Sequence, residues 1–168
     1  AWKVALERSD GPVALSLSRQ KVPTLDRSEL APASGLERGA YTLWESSSAP
    51  DLILISTGAE VGLTLEAGRR IAGDGTAVRV VSMPCWELFA EQPTDYRDEV
   101  LPPEVRARLS VEPGVELGWS RWVGDQGDSI SIEHFGASAP GATVLEQFGY
   151  NLDNVVARAA ALLDRVSA

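Results

Sequence analysis

Two aliphatic runs separated by a helical pattern dominate the middle of the chain. The runs 51–56 and 77–83 are almost entirely apolar, which is typical of strands covered on both faces. Between them, apolar or small residues recur with helical spacing at Val61, Leu65, Gly68 and Ile71. The pattern predicts a strand–helix–strand unit with two parallel strands, because such crossovers are nearly always right-handed and parallel.

Shorter segments continue this alternation. We predict strands over 40–44, 105–112 and 129–134, and short helices over 85–90, 96–101 and 117–123. The clearest helix covers 152–166, where apolar residues follow a 3.6-residue period and Asn151 precedes as an N-cap. Strands alternating with helices favour an α/β fold over about 37–168, with a doubly wound, mostly parallel sheet of about five strands.

The first 36 residues do not follow this alternation. Residues 1–9 resemble the end of an amphipathic helix, 13–18 predict a short strand, and 21–38 contain prolines without an apolar period and predict a linker. We therefore expect a helix–strand remnant of another domain over 1–36 and a separate domain over 37–168. A lone strand at 13–18 would have two unpaired edges and should fray unless it packs on the main sheet or a partner chain.

Composition excludes several classes of function. Hydrophobic residues make up 44% of the chain, as in an ordinary globular core. Acidic residues outnumber basic ones by 24 to 15, and the net charge of −9 disfavours nucleic acid and anionic membrane surfaces. No apolar run approaches the ~20 residues of a membrane span. We expect neither a nucleic-acid partner nor a membrane partner.

The chain has one cysteine and one histidine. Cys85 alone cannot form an intrachain disulfide or a multi-cysteine metal site, and without a basic neighbour in sequence it is expected to be buried and inert. His134, at the end of the predicted strand 129–134, has the position of a general base or a phosphate contact. A packed or exposed histidine without a catalytic role is the favoured interpretation. A reducing cytoplasm is the default location.

Three glycine-containing turns could bind ligands. Residues Thr57–Glu60 predict a capping box, with the alternative of an anion site that Glu60 would oppose. The segment Gly136–Pro140 is a similar case. Gly73-Asp74-Gly75 could hold a magnesium diphosphate, but it follows a helix and precedes a strand, away from the carboxyl edge where ligands bind. A turn that ends the helix is favoured there.

Tryptophans and acidic pairs give weaker signals. Of the five tryptophans, Trp119 and Trp122 would share a helix face, and we expect most of the five in the core, with one or two at an interface. The pair Glu112 and Glu116 shows no spacing that requires acid–base chemistry. We interpret it as solvated surface.

The segment Pro12–Gln20 ends in the most informative polar residues. Arg19 follows the predicted strand 13–18, and ligands of open α/β sheets sit at the carboxyl ends of strands. A guanidinium there could anchor a phosphate or carboxylate through two parallel hydrogen bonds. A surface arginine paired with a neighbouring carboxylate is an equally good explanation.

Several motifs, in this order along the chain, closely resemble the C-terminal part of transketolases. They are Trp-Lys at 2–3, Asp-Gly-Pro at 10–12, Leu-Ser-Arg-Gln at 17–20, Gly-Ala-Tyr at 39–41 and Thr-Gly-x-Glu-Val at 57–61. Segments 77–84, 96–102, 135–140 and 151–156 agree as well. Related thiamine enzymes share the C-terminal fold but do not usually carry this Leu-Ser-Arg-Gln form.

The resemblance implies an enzyme that moves a two-carbon ketol unit from a ketose phosphate to an aldose phosphate, in the cytoplasmic pentose phosphate pathway. It implies thiamine diphosphate and a divalent metal, Mg or Ca, at a homodimer interface. Residues 1–36 would be the tail of the pyrimidine-binding domain with its linker, and 37–168 the C-terminal domain.

By the family motif, Arg19 would hold the sugar phosphate. The family's metal motif, activating glutamate and catalytic histidines match no position here, so we expect this chain alone to bind no thiamine diphosphate and to be inactive, with a structural or dimer-supporting role. Two alternatives remain: a non-enzymatic α/β domain that binds a small ligand or regulates, and the C-terminal part of another thiamine diphosphate enzyme.

Overall fold

The computed structural model describes all 168 residues. Its strands are β1 (Tyr41–Glu45), β2 (Leu52–Ser56), β3 (Val78–Ser82), β4 (Arg108–Val111) and β5 (Asp128–Ile130). Its α-helices are α1 (Trp2–Glu7), α2 (Glu60–Gly73), α3 (Trp86–Ala90), α4 (Thr94–Val100), α5 (Ser120–Val123), α6 (Gly141–Gln147) and α7 (Leu152–Ser167), with a 3₁₀ helix at Ala33–Arg38. None of the helices has the length and apolar character of a membrane span.

The five strands form one sheet in the order β1-β3-β2-β4-β5. Strand β2 pairs in parallel with β3 and β4, β4 pairs in parallel with β5, and β1 joins the edge antiparallel to β3. This confirms the predicted mostly parallel sheet and the strand–helix–strand unit β2–α2–β3. In register, Ser56 lies opposite Ser82 on one side and Val111 on the other, so three strands end at the same level.

Hydrophobic cores cover both faces of this sheet, as expected for a doubly wound fold. One core joins alternate residues of β2, β3 and β4 to α2 and α7. The other joins the remaining strand residues to Phe89, Trp119 and Trp122, from α3 and the α5 region. Of the five tryptophans expected mostly in the core, Trp119 and Trp122 are 2% and 5% exposed, Trp44 and Trp86 are half-buried against the cores, and Trp2 is 67% exposed.

The connections create a switch point between β2 and β4. The helix that follows β2 packs on one face of the sheet, whereas the α5 region that follows β4 packs on the other face. The two connections therefore diverge at the carboxyl ends of neighbouring strands, which is where open α/β sheets leave a crevice for ligands.

Two local predictions near this edge are wrong. Residues 13–18 form no strand, because no neighbouring strand supplies backbone partners for them. Thr57 does not cap a helix: Gly58 adopts φ +60 before α2 begins, which puts Ala59 at the N-cap position without a side-chain cap. The unpaired state of 13–18 agrees with the fraying expected for a lone strand.

Other predicted bounds shift by a few residues. Strand β5 ends at Ile130, so the predicted strand 129–134 is too long and His134 lies in the following loop. The segment 21–38 is not entirely a linker, because it contains the 3₁₀ helix and the buried side chain of Leu30. Helix α6 was not predicted. Helix α7 agrees closely, with the Asn151 side chain accepting a hydrogen bond from the Asn154 backbone N–H at 2.9 Å.

Gly39 lies where the 3₁₀ helix meets β1. The backbone at Cys85 and Phe89 approaches it so closely that a side chain at this position would not fit. It adopts φ +83, and an added β-carbon would overlap the Phe89 backbone nitrogen and the Cys85 carbonyl oxygen. We expect Gly39→Ala to lower the free energy of unfolding by at least ~2 kcal/mol, since both the left-handed backbone and the overlap with main-chain atoms oppose it. Urea denaturation would measure the change.

Gly73→Ala is the matched control. Gly73 ends α2, and an added β-carbon there meets nothing within 4 Å. A methyl group at a helix end should leave stability unchanged or raise it by up to ~0.5 kcal/mol. Equal denaturation midpoints for the two variants would contradict the role assigned to Gly39.

Candidate functional site at the carboxyl edge of the sheet

A crevice of about 730 Å³ opens at the carboxyl edge of the sheet. Its floor and walls come from the connection Thr57–Gly62 after β2, from Ser82 at the end of β3, and from Glu112 and Pro113 after β4. These are the strand ends that meet at the switch point. The crevice therefore has the position that general topology assigns to a ligand site.

The segment 14–25 lies across this crevice and lines it with several of its residues. The segment packs against two glycines of the β2–α2 connection. The Ser18 hydroxyl would contact a β-carbon on Gly58 at 3.3 Å, and the Pro23 ring would contact one on Gly62 at 3.4 Å. The segment predicted as strand 13–18 is thus positioned by packing rather than by sheet hydrogen bonds.

Arg19 lies between two residues that line the crevice, Ser18 and Gln20. Its side chain is exposed and forms no ion pair with any carboxylate of the chain. Of the two interpretations open from the sequence, a surface arginine held by a neighbouring carboxylate is therefore not what the structure shows. The guanidinium is available to an external anion.

Of the three glutamates that line the crevice, Glu87 is exposed, whereas Glu60 and Glu112 are buried to different degrees. Glu60, the first residue of α2, is 8% exposed, and burial raises the pKa of its carboxyl group despite a hydrogen bond from its own backbone N–H. Burial and, to a smaller extent, the charge of Glu60 together raise the pKa of Glu112 to about 7. A negative charge on Glu60 thus disfavours ionisation of Glu112.

Tyr150 contacts the backbone at Glu112. Its hydroxyl donates a hydrogen bond to the Glu112 carbonyl oxygen at 2.8 Å and lies 3.1 Å from the Ile130 carbonyl oxygen. The pKa of Tyr150 is raised, first by burial and then by the charges of Glu112 and Glu60. The interpretation of Glu112 as solvated surface is therefore wrong. Its spacing from Glu116 in the sequence gave no indication that its side chain is partly buried.

Two buried polar atoms at this edge lack partners. The Glu112 Oε2 atom and the Ser56 hydroxyl are both buried without a hydrogen bond. Ser56 is fully buried and lies beside Ser82, a crevice residue, in the sheet register. The other two buried atoms of this kind, Arg97 Nε and Trp122 Nε1, belong to residues that do not line the crevice.

Cys85 and His134 form no hydrogen bond with Glu60 or Glu112. Cys85 is half-buried rather than buried, its thiol donates to a Glu87 carboxylate oxygen at 3.4 Å, and burial raises the pKa of the thiol, which agrees with an inert cysteine. His134 is exposed, and its ring packs edge-on against Phe148 at 4.6 Å. That environment fits the interpretation of a histidine without a catalytic role.

The other two glycine-containing turns form a helix end and an exposed loop. Asp74 terminates α2 and Gly75 follows at φ +99, which confirms a helix-ending turn at Gly73-Asp74-Gly75. The segment Gly136–Pro140 is an exposed loop before α6. No three side chains among His, Cys, Asp and Glu are grouped so as to hold a metal ion.

Comparison with known proteins gives the family. A family model for the transketolase-like TK C-terminal domain matches residues 39–151. The chain belongs to the transketolase family. Among curated relatives, a transketolase of Geobacillus stearothermophilus is 48% identical over 98% of this chain, and one of Bacillus subtilis is 43% identical over 98%. The chain spans about a quarter of the length of these transketolases.

Solved transketolase structures share the fold. A transketolase from Leishmania mexicana has a TM-score of 0.89 and 36% identity, covering 98% of this chain and 23% of that one. A Campylobacter jejuni transketolase has a TM-score of 0.83 and 33% identity, covering 95% and 24%. A Pichia stipitis transketolase complexed with sedoheptulose-7-phosphate has a TM-score of 0.79 and 31% identity, covering 89% and 21%.

The buried acid of this transketolase domain predicts a pH dependence of stability. The folded-state pKa of Glu112, about 7, lies above the ordinary value of 4.5, so the folded chain binds more protons than the unfolded chain between these values. The free energy of unfolding should therefore fall as pH rises from about 4.5 to about 7.

Glu112→Gln should remove this component and stabilise the protein at pH 8 by ~1 kcal/mol, a figure kept small because partial exposure screens the charge. Urea denaturation at pH 5 and pH 8 measures the difference. Glu66→Gln, on the exposed face of α2, is the control and should follow the wild type at both pH values. Identical pH profiles for wild type and Glu112→Gln would contradict the burial of this carboxyl group.

Proposed function

We propose that this chain serves as the C-terminal region of a transketolase that transfers a two-carbon ketol unit from a ketose phosphate to an aldose phosphate. The 48% identity to a transketolase over nearly the whole chain supports this most strongly. It also favours transketolase over the other thiamine diphosphate enzymes considered from the sequence. In this proposal the enzyme works in the pentose phosphate pathway of the cytoplasm, as a homodimer.

The domain division follows from the same proposal. Residues 1–36 would end the pyrimidine-binding domain, and 37–168 would form the C-terminal domain. Two observations support a boundary in this region: the family match begins at residue 39, and the sheet begins at Tyr41. The C-terminal domain would then support the dimer and position the segment that carries Arg19.

Arg19 would bind the phosphate of the sugar substrate. The guanidinium is exposed and free of ion pairs, and its neighbours Ser18 and Gln20 line a crevice at the carboxyl edge of the sheet. A planar guanidinium can donate two parallel hydrogen bonds to phosphate oxygens. The relative complexed with sedoheptulose-7-phosphate shows that a protein of this family binds a sugar phosphate.

Thiamine diphosphate and its divalent metal do not fit the residues of this chain. No group of three metal-ligating side chains exists, and the single Gly-Asp-Gly triplet forms the end of α2. The crevice is lined by Glu60, Glu87 and Glu112, which would repel a diphosphate. We propose that in the intact enzyme other parts of the transketolase hold the cofactor and supply its chemistry.

Substitution of Arg19 tests the phosphate contact in the intact enzyme. Arg19→Ala should lower kcat/KM for a phosphorylated ketose by ~10- to 100-fold, because a charge-assisted hydrogen bond to the substrate is lost. For an unphosphorylated ketose, kcat/KM should change by less than ~2-fold, since no phosphate contact exists to lose. Steady-state kinetics with both substrates measure the two effects.

Lys21→Ala is the matched control, because Lys21 is also exposed and basic and lies two residues away. It should leave kcat/KM for both substrates nearly unchanged. Equal losses for the phosphorylated and unphosphorylated substrates in Arg19→Ala would contradict a phosphate contact. Equal losses in Arg19→Ala and Lys21→Ala would instead indicate a general effect of surface charge.

The purified 168-residue chain should show no ketol transfer. The acceptor and donor sugars need a cofactor held and oriented beside them, and this chain offers no site that fits the cofactor. A coupled assay with added thiamine diphosphate and Mg²⁺ measures the activity. The intact enzyme is the positive control, and turnover by the isolated chain would overturn the proposed division of labour.

A further inference from the structure

Large apolar side chains are exposed in two parts of the chain. Five of the eight lie within residues 1–22, the segment proposed to belong to another domain. The other three, Val115, Leu117 and Phe135, lie in the loops that follow β4 and β5. Helices α2 to α7 expose none. Exposed apolar side chains that are grouped in this way mark an interaction surface, whereas single ones scattered over a protein do not.

The loops that follow β4 and β5 lie side by side. The pairing of the two strands continues beyond their ends, because the Ile132 N–H donates a hydrogen bond to the Gly114 carbonyl oxygen at 2.9 Å. The Glu133 carboxylate then accepts a hydrogen bond from the Glu116 N–H. The exposed apolar residues of these two loops form one surface, which we call the loop patch: Val115, Leu117 and Phe135.

Neighbouring contacts hold the residues of the loop patch in their exposed positions. Gly118, directly after Leu117, adopts φ +92 against Trp86, where an added β-carbon would lie 2.6 Å from the indole ring. The His134 ring packs edge-on against the aromatic residue that ends α6, and its Nδ1 atom lies 2.8 Å from the Phe135 carbonyl oxygen. Between these contacts, Phe135 is 100% exposed and Leu117 is 85% exposed.

The rim of the loop patch is acidic. Glu116 and Glu133 lie in the same two loops, are exposed, and form no ion pair with another residue of the chain. These charges disfavour nucleic acid and anionic membrane surfaces as partners. They favour a protein surface that is apolar at its centre and has basic side chains at its edge.

The size of the loop patch indicates which kind of protein surface covers it. The three side chains present about 400 Å² of apolar surface, judged from the usual area of such side chains. A separate protein or a second copy of the chain would need about 800 Å² on each side for a stable interface. A smaller contact suffices between regions of one polypeptide, because the covalent link keeps the two surfaces at a high effective concentration.

Transketolase relatives contain such additional regions. The chain spans about a quarter of their length, so the remaining three quarters would lie outside these 168 residues in an intact enzyme. The loop patch also lies near the segment proposed to belong to another domain. Leu17 and Val22, which are both exposed, line the same crevice as Pro113, two residues before Val115. A protein surface that covers residues 1–22 can therefore extend onto the loop patch.

We propose that the loop patch packs against a region of the same transketolase polypeptide outside these 168 residues, on an apolar surface bordered by basic side chains. This inference rests on the proposed function, which makes the chain one part of a longer enzyme. Phe135 contributes the largest apolar area to the contact, and Glu116 and Glu133 pair with the basic side chains at its edge.

Photochemical cross-linking in the intact enzyme tests the proposal. Phe135 is replaced by p-benzoylphenylalanine, an aromatic and apolar amino acid that links to neighbouring C–H groups on irradiation. We expect a product with the mass of one polypeptide on a denaturing gel, and mass spectrometry should map the link outside the 168 residues. The same replacement at Ala160, on the exposed face of α7, is the control and should give no such link.

Hydrogen exchange of the wild-type proteins provides a measurement that needs no substitution. Amides over 114–118 and 132–138, compared with the amides of α7, should exchange at least ~10-fold more slowly in the intact enzyme than in the 168-residue chain, because the contact excludes water. Equal relative rates in the two proteins would contradict a covered loop patch.

The cross-linking outcomes also separate the other occupants. A product of twice the polypeptide mass would assign the loop patch to a second subunit, and links confined to residues 1–168 would assign it to this chain itself. Either result, or no cross-link from position 135, overturns the proposal. Ketol transfer by the same enzyme preparation tests the proposed function separately, so an active enzyme with an exposed loop patch overturns the docking alone.

Discussion

The complete burial of β2 is the constraint on which the rest of the structure depends. All five residues Leu52–Ser56 are buried, so this strand needs hydrogen-bonding neighbours on both sides and apolar cover on both faces. Strands β3 and β4 supply the hydrogen-bonding neighbours, and helices on opposite faces supply the apolar cover. The connections after β2 and β4 must then diverge, and their divergence opens the crevice at the carboxyl edge.

Buried charged groups differ in their hydrogen-bond partners between the two ends of the strands. Near the amino ends of their strands, Arg79 donates to Glu45 and to the carbonyls of Glu99 and Val100, and Arg108 donates only to backbone carbonyls, among them that of Trp122 at 2.9 Å. These guanidinium groups are satisfied and hold connecting loops in place. At the carboxyl edge the Glu112 Oε2 atom is buried without a hydrogen bond. Buried atoms without a partner also occur elsewhere, at Arg97 Nε and Trp122 Nε1, so the contrast holds for the charged groups of the sheet rather than for every polar atom.

The sequence predicted those elements whose buried residues recur with a regular spacing. It failed for segments whose structure depends on contacts with residues distant along the chain. The runs that became β2 and β3 and the stripe of α7 carry their burial in their own spacing. Residues 13–18 have the same local pattern as a strand, but a strand also needs a neighbour, and this information is not local. Glu112 had no distinguishing signal in sequence, because its burial comes from Tyr150 and α2, which are distant along the chain.

Charge limits what can bind at this edge of the sheet. A phosphate that pairs with Arg19 gains from the exposed guanidinium, but the carboxylates of Glu60 and Glu112 would repel it inside the crevice. The phosphate contact proposed for Arg19 therefore requires that the phosphate group stay outside the acidic part of the crevice.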